Sequence, residues 1–301
     1  KDTEQWRINL RNINHCFSKH ILDLEIKDTE VGELQERLLL DNDKQPIDLT
    51  HKVLVRIFTN KSFKEGGRFY RGWWQNVPKE YRQFITIDTK RVTEYDFSQM
   101  NPNMIYDRYN HDLGSEDAYS RVAGPEHRDV VKQAFNAMFQ ATTPLQKEPD
   151  DIDLSGIEMS WQELKEEILK AHKPIKDLFF TGLGNKLQFE DSCIAESVIL
   201  QFVNSDAPAL PIHDSFVMHH GYGDKGGLEE AMRRAYFERF NSSLSEKRDL
   251  VEKVDHKKIR LDDEKKPVNN GNGTIQVDDI FNADSDYSQW RDRDDMWMSR
   301  K

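Results

Sequence analysis

Tyr95-Asp96-Phe97-Ser98-Gln99 and Pro211-Ile212-His213-Asp214-Ser215 are the two stretches on which the reading of this chain turns. Each sets one aspartate at the end of an apolar, strand-like run, and the two carboxylates lie far apart in sequence. Carboxylates brought together from distant strands are what a protein needs to hold two divalent cations for phosphoryl transfer. If the two strands meet, nucleotidyl-transfer chemistry is expected, and little else in the chain suggests a reaction.

The bulk properties set the frame. The 301 residues carry 37% hydrophobic and 32% charged side chains, with a mean hydropathy of −0.82, the composition of a water-soluble globular protein with a very polar surface. No apolar run approaches the roughly 18 residues needed to cross a bilayer, and no secretory-signal pattern opens the sequence. The chain begins at Lys1 rather than a methionine, as a sequence shortened at its upstream end would. Two cysteines, Cys16 and Cys193, give no disulfide framework, so a reducing cytoplasm is the expected location. His15, Cys16 and His20 lie close enough to suggest a metal, yet no second ligand pair completes a zinc pattern, and an amphipathic helix accounts for them. The net charge of −11 argues against casual nucleic-acid binding, whose usual footprint is basic. Its distribution softens this: residues 61–95 hold eight Lys/Arg against four acids, whereas residues 141–200 hold six lysines against twelve acids. A basic strip directly before Asp96 is where a phosphate backbone would lie.

Residues 1–60 read as helical, from the spacing of Ile8, Leu10, Ile13, Phe17, Ile21 and Leu24 and then of Val53, Leu54 and Ile57. Residues 65–78 are a glycine- and aromatic-rich loop or short strand, in which Trp73 and Trp74 either stack on a base or are buried. Residues 85–88 and 92–95 form a hairpin about Thr89-Lys90, and a helix through Met100 to Tyr109 follows Asp96. Further helices are expected over 128–141, from the Ser160-Trp161-Gln162-Glu163 capping box to about Lys173, over 191–203 and over 228–240. Ala209–His213 and Phe216–His220 read as strands turning at Asp214-Ser215. Beyond 241 the sequence is highly charged, with an Asn/Gly linker at 269–273 and an aspartate-rich end bearing Trp290 and Trp297, expected as a partly ordered tail.

In this order the motifs resemble the palm and fingers of the family A DNA polymerases and, more distantly, the single-subunit phage-type RNA polymerases. Gly67-Arg68-Phe69 with Gln75-Asn76-Val77-Pro78 is similar to the stretch upstream of the family's first carboxylate. Asp96-Phe97-Ser98-Gln99 is similar to motif A, Arg128 and Lys132 with Asn136 to the motif B helix, and His213-Asp214 to motif C. The resemblance covers about residues 66–240. It implies an α+β fold, a right-hand polymerase palm in which an antiparallel sheet is flanked by helices, with reduced fingers and a minimal thumb supplied by residues 1–60. It divides the chain into that N-terminal region, a palm and fingers over 61–240 and a charged extension over 241–301. It further implies that Asp96, Asp214 and the Phe97 carbonyl hold two Mg2+ ions, with Mn2+ as a substitute, and that Arg128 and Lys132 bind a nucleoside triphosphate. Asn101, Asn136 and Gln140 then stand at the sugar, and Arg68, Gln75, Asn76, Gln188 and His213 at the primer–template.

The sequence departs from the family around the sugar. Asn101 stands where family DNA polymerases carry a glutamate that guards against a 2′-hydroxyl, Asn136 stands where they carry an aromatic residue, and Gln140 replaces a tyrosine. Ser215 follows motif C, giving His-Asp-Ser as in the RNA polymerases. Three readings follow. The first is template-directed DNA synthesis from dNTPs. The second is an RNA-synthesising, primase-like or tailing enzyme of the same fold. The third is a catalytically weak, palm-derived regulatory module acting through the acidic tail. A protein partner supplying a clamp belongs to the expectations, and a membrane partner does not.

Overall fold

The computed structural model of the protein describes residues 2–40, 45–223, 227–244 and 250–254. The chain runs α1 (Asp2–Ser18), β1 (Leu22–Leu24), α2 (Asp28–Leu39), β2 (Val55–Phe58), β3 (Gly66–Tyr70), β4 (Ile85–Ile87) and β5 (Lys90–Phe97). It continues through α3 (Met100–Arg108), α4 (Ser120–Ala123), α5 (Arg128–Gln140), α6 (Trp161–Ala171) and α7 (Gly184–Val203). The last elements are β6 (Ala209–Ile212), β7 (Ser215–His219), α8 (His220–Gly223), α9 (Gly227–Phe240) and β8 (Leu250–Val254). The main sheet has the order β1-β4-β5-β7-β6, with β8 pairing β5 as well, and every pairing is antiparallel. Strands β2 and β3 form a separate ribbon. Among the described residues no helix is long and apolar enough to cross a membrane.

Both hairpins follow from their turn residues. Asp88 and Thr89, at φ 52° and 63°, form the two-residue loop between β4 and β5, where two positive φ angles match the twist of the flanking strands. The loop lies one residue earlier than the sequence reading placed it. The β6–β7 loop is His213-Asp214, with His213 at φ 57°, likewise one residue earlier than expected. Helix α6 opens on the expected box: the Ser160 Oγ accepts from the Glu163 N–H, and the Ser160 N–H donates back to the Glu163 carboxylate. In α5 the stripe Val131, Phe135, Met138 and Phe139 is buried as its spacing requires.

The structure corrects the reading of residues 1–60 as helical throughout. Helix α1 stops at Ser18, Leu22–Leu24 pairs with β4, and Val55–Phe58 is a strand against β3. Val-Arg-Ile-Phe is β-branched and aromatic, and an apolar spacing of three or four over so short a run does not separate helix from strand. Helix α7 begins at Gly184, seven residues before the expected start. Strand β8 lies within the charged extension; the linker at 269–273, Trp290 and Trp297 fall outside the described residues. One continuous core runs from Ile13 and Phe17 in α1 through the sheet to Tyr236 in α9 and Leu250 in β8.

Candidate active site

Strands β5 and β7 bring the two aspartates together. Asp96 is in register with Ser215, and the Phe97 N–H donates to the Asp214 carbonyl at 3.2 Å, so both aspartates stand at the same end of neighbouring strands. Asp96 is buried and Asp214 half-buried. Beneath them on β5, Glu94 is completely buried; its Oε1 accepts from Arg82 at 2.9 Å and from the Ser215 Oγ at 2.9 Å. Ser215, which stood beside Asp214 in sequence as a candidate site difference, therefore turns its hydroxyl inward.

The segment before the first aspartate fastens the second. The Trp74 Nε1–H and the Gln75 side-chain amide both donate to the Pro211 carbonyl at 3.1 Å, and Gln75 also reaches the Phe69 carbonyl and accepts from the Gly72 N–H. Strand β6 leads from Pro211 straight into His213-Asp214. Trp73 and Trp74 are both buried, so neither offers a ring face for stacking on a base. Asn76 ends the same short turn, half-buried.

A cavity of about 340 Å³ opens beside Asp214. Eight of the residues singled out from the sequence line it: Arg68 from β3, Asn101 from α3, Lys132, Asn136 and Gln140 from α5, Gln188 from α7, and His213 and Asp214 from the β6–β7 loop. On α5 the three are spaced i, i+4 and i+8, which places them on one face. The Asn101 amide donates to the Asn136 Oδ1 at 2.8 Å and ties α3 to α5 across the cavity. Arg68 reaches its place because Gly67, at φ 82°, lets β3 pass close to α7; a Cβ there would stand 2.8 Å from the Phe58 ring and 3.0 Å from the Ser192 Oγ.

Arg128 is placed otherwise. Its guanidinium donates to the Ser98 carbonyl at 2.9 Å, pairs with Asp117 at 3.2 Å and lies over the Tyr119 ring, so it holds the chain just beyond Asp96 instead of lining the cavity with Lys132. Burial alone would raise the Asp117 carboxyl, but the hydrogen bonds from Ser120 and the charge of Arg128 outweigh it and hold it below its ordinary value.

Three residues of the site were not found in the sequence. Tyr119 lines the cavity, fully buried, and burial followed by the charges of Asp214 and Asp117 pushes its phenol far up against the opposing pull of Arg128. Asp117 carries a local signal, since it accepts from the Tyr119 and Ser120 N–H groups at the mouth of α4. Asp191 carries none: it reads as one more acid on α7, yet it is buried and accepts from the Arg68 Nε at 2.6 Å. Burial drives its carboxyl from 3.8 to about 6, with Asp214 adding to the rise and Arg68 opposing it. Burial would lower the Arg68 guanidinium, but the charges of Asp191 and Asp214 hold it above its usual value. His213 is pulled below its ordinary value by burial and by Arg68, against Asp214.

No protein-family model matches the chain, and no curated protein does. Among solved structures the chain is similar to the POL domain of Pol1 from M. smegmatis in complex with DNA primer-template and dNTP, with 12% identity and a TM-score of 0.43. The match covers 74% of this chain and 50% of that one, so the chain spans about half the length of that structure.

Proposed function

We propose that the protein is a metal-dependent, template-directed nucleotidyltransferase that makes DNA from dNTPs. What carries the reading is the side-by-side position of Asp96, on β5, and Asp214, in the β6–β7 loop, with Asp214 lining a cavity furnished with Lys132 and Arg68. Its volume falls within the roughly 300–1,000 Å³ of small-molecule sites.

Asp96, Asp214 and the Phe97 carbonyl offer only oxygen donors, the set that suits Mg2+, with Mn2+ as its substitute. Two such ions, when bound, would lower the pKa of a primer 3′-hydroxyl and neutralise the departing pyrophosphate. Lys132 is the triphosphate's point charge. Arg68, oriented by Asp191, and Gln188 offer donors to the primer–template without reading its sequence. His213 stands at the primer end. Arg128 positions the Ser98 main chain and reaches a phosphate only by leaving Asp117. Gln75 acts on the template side through the hairpin it fastens, and Asn76 lies next to it.

Primer extension with Mg2+ or Mn2+ at low salt tests the reading. Asp96→Asn and Asp214→Asn should each abolish incorporation with thermal stability similar or higher; extension by both variants refutes it. The Asn101–Asn136 pair, small and polar where the family carries a glutamate and an aromatic ring, favours a second reading in which ribonucleotides are accepted. Parallel assays with rNTPs, and with the template omitted, separate RNA synthesis and tailing from DNA synthesis. A strict dNTP preference removes the second reading.

A further inference from the structure

Cys16, His20 and Asp206 meet near the starts of β5 and β6, the ends opposite to Asp96 and Asp214, in a cluster with different donors. Cys16 lies in the last turn of α1, His20 in the turn after it, and Asp206 in the turn between α7 and β6. Their ligand atoms (Sγ, a ring nitrogen and a carboxylate oxygen) all lie within 4.8 Å of one another.

The imidazole is set up for coordination by a residue behind it. The Asp88 carboxylate accepts from the Ile21 N–H at 2.9 Å and faces the His20 Nδ1 at 2.6 Å. A proton on Nδ1 leaves the lone pair on Nε2. That nitrogen is buried, makes no hydrogen bond, and lies 4.0 Å from the Asp206 Oδ1. A carboxylate behind one ring nitrogen and a ligand position in front of the other is the usual arrangement of a metal-bound histidine.

We propose that the Cys16 Sγ, the His20 Nε2 and the Asp206 carboxylate form a binding site for one zinc-class divalent ion, with Asp88 orienting the histidine and water completing the coordination. Thiolate and imidazole select zinc over magnesium, so this site and the all-oxygen pair at Asp96 and Asp214 differ in the ion they take. Donor atoms around a tetrahedral zinc lie about 3.3–3.8 Å apart, given bonds of about 2.0–2.3 Å. Closing from the present spacing needs a shift of about 1 Å, which the exposed Asp206 side chain can supply. The Lys19 ammonium now pairs with Asp206 at 3.0 Å, but that pair is half-exposed at both ends and competes weakly. On binding, the Cys16 thiol gives up its proton to solvent as the sulfur–metal bond forms. The ion would join the end of α1 to the turn that enters β6 and, through Asp88, to the β4–β5 loop.

Cobalt titration of the chelator-treated full chain tests the proposal. One equivalent of Co2+ should give thiolate-to-metal charge-transfer absorption, displaced by one equivalent of Zn2+ and untouched by excess Mg2+. Cys16→Ser should abolish the band and Cys193→Ser should leave it. Asp206→Asn, at an exposed turn position with φ 52° that asparagine also adopts, should weaken binding at least tenfold, and Asp88→Asn about 10–100-fold. Absence of the band, or a band that survives in Cys16→Ser and in Asp206→Asn, overturns the site.

Discussion

Asp191 and His172 should oppose each other in the pH dependence of stability. Burial lifts the Asp191 carboxyl from 3.8 to about 6, so between those values the native state holds a proton that the unfolded chain releases. Its contribution is complete below the unfolded value and is lost as pH rises through about 6. Burial carries the His172 ring from 6.5 down to about 4; the hydrogen bond to the Ala118 carbonyl at 2.9 Å opposes the fall and the charge of Arg121 adds to it. There the unfolded chain binds the extra proton, so stability is complete above 6.5 and is lost as pH falls through about 4. At about 1.4 kcal/mol per pH unit, each amounts to about 3 kcal/mol over nearly the same range. Wild type should therefore be nearly flat between pH 4 and 6.5 as far as this pair is concerned.

Urea denaturation at several pH values reads this directly. Asp191→Asn removes one side of the opposition, and its stability relative to wild type should climb by about 3 kcal/mol from pH 4 to 7. Whatever constant amount the substitution costs through the Arg68 contact cancels in that difference. His172→Gln should show the opposite trend. Because the Asp214 charge contributes to the rise at Asp191, the midpoint of the Asp191-dependent change should move to lower pH in Asp214→Asn. Parallel pH profiles for wild type and Asp191→Asn would refute the reasoning.

Two further outcomes follow from the same neighbourhood. Arg82→Met leaves the buried Glu94 with Ser215 and without its cation, and should cost about 3–5 kcal/mol in urea denaturation; Glu94→Gln added to it should recover part of that. Asn101→Glu breaks the amide pair with Asn136 and puts a carboxylate at the proposed sugar position; the ratio of dNTP to rNTP incorporation should rise at least tenfold, and an unchanged ratio would remove Asn101 from that proposal.

The hairpins and the helices α5, α6 and α9 were legible because each carries its own local code: a period of two around turn residues, a stripe at three and four, a capping box. Lys132, Asn136 and Gln140 were legible as one face for the same reason. Residues 53–58 were not, since a four-residue strand is too short to reveal its period. Strand β8 was hidden by the charge around it. The roles of Arg68, Gln75 and Arg128 were underdetermined for a different reason. A cation or an amide in a motif has donors to spend, and only the tertiary structure says where. Asp191 takes Arg68, Pro211 takes Gln75, and Asp117 takes Arg128. Buried charges require such partners, yet nothing in the local sequence names them.

These pairings bear on the proposed binding of a triphosphate at the cavity. Arg68, Lys132 and Asp214 line it; Asp191 pairs with Arg68, Asp96 stands on the strand beside Asp214, and the Arg128–Asp117 pair lies outside the lining. Of the two lining cations, Arg68 faces an aspartate directly. A polyanion therefore meets a site with no surplus of positive charge until divalent ions arrive with it. At an effective dielectric of about 20, one unit charge about 5 Å from another is worth about 3 kcal/mol, so removing a single carboxylate matters. Without divalent ions, wild type should bind a nucleoside triphosphate weakly. Asp96→Asn and Asp214→Asn should bind it at least tenfold more tightly under the same conditions, although neither supports incorporation. Isothermal titration with EDTA present measures this, and Lys132→Met in the Asp214→Asn background should cancel the gain. If the aspartate variants bind the metal-free triphosphate no better than wild type, the two carboxylates do not face the phosphates, and the assignment of Lys132 fails with them.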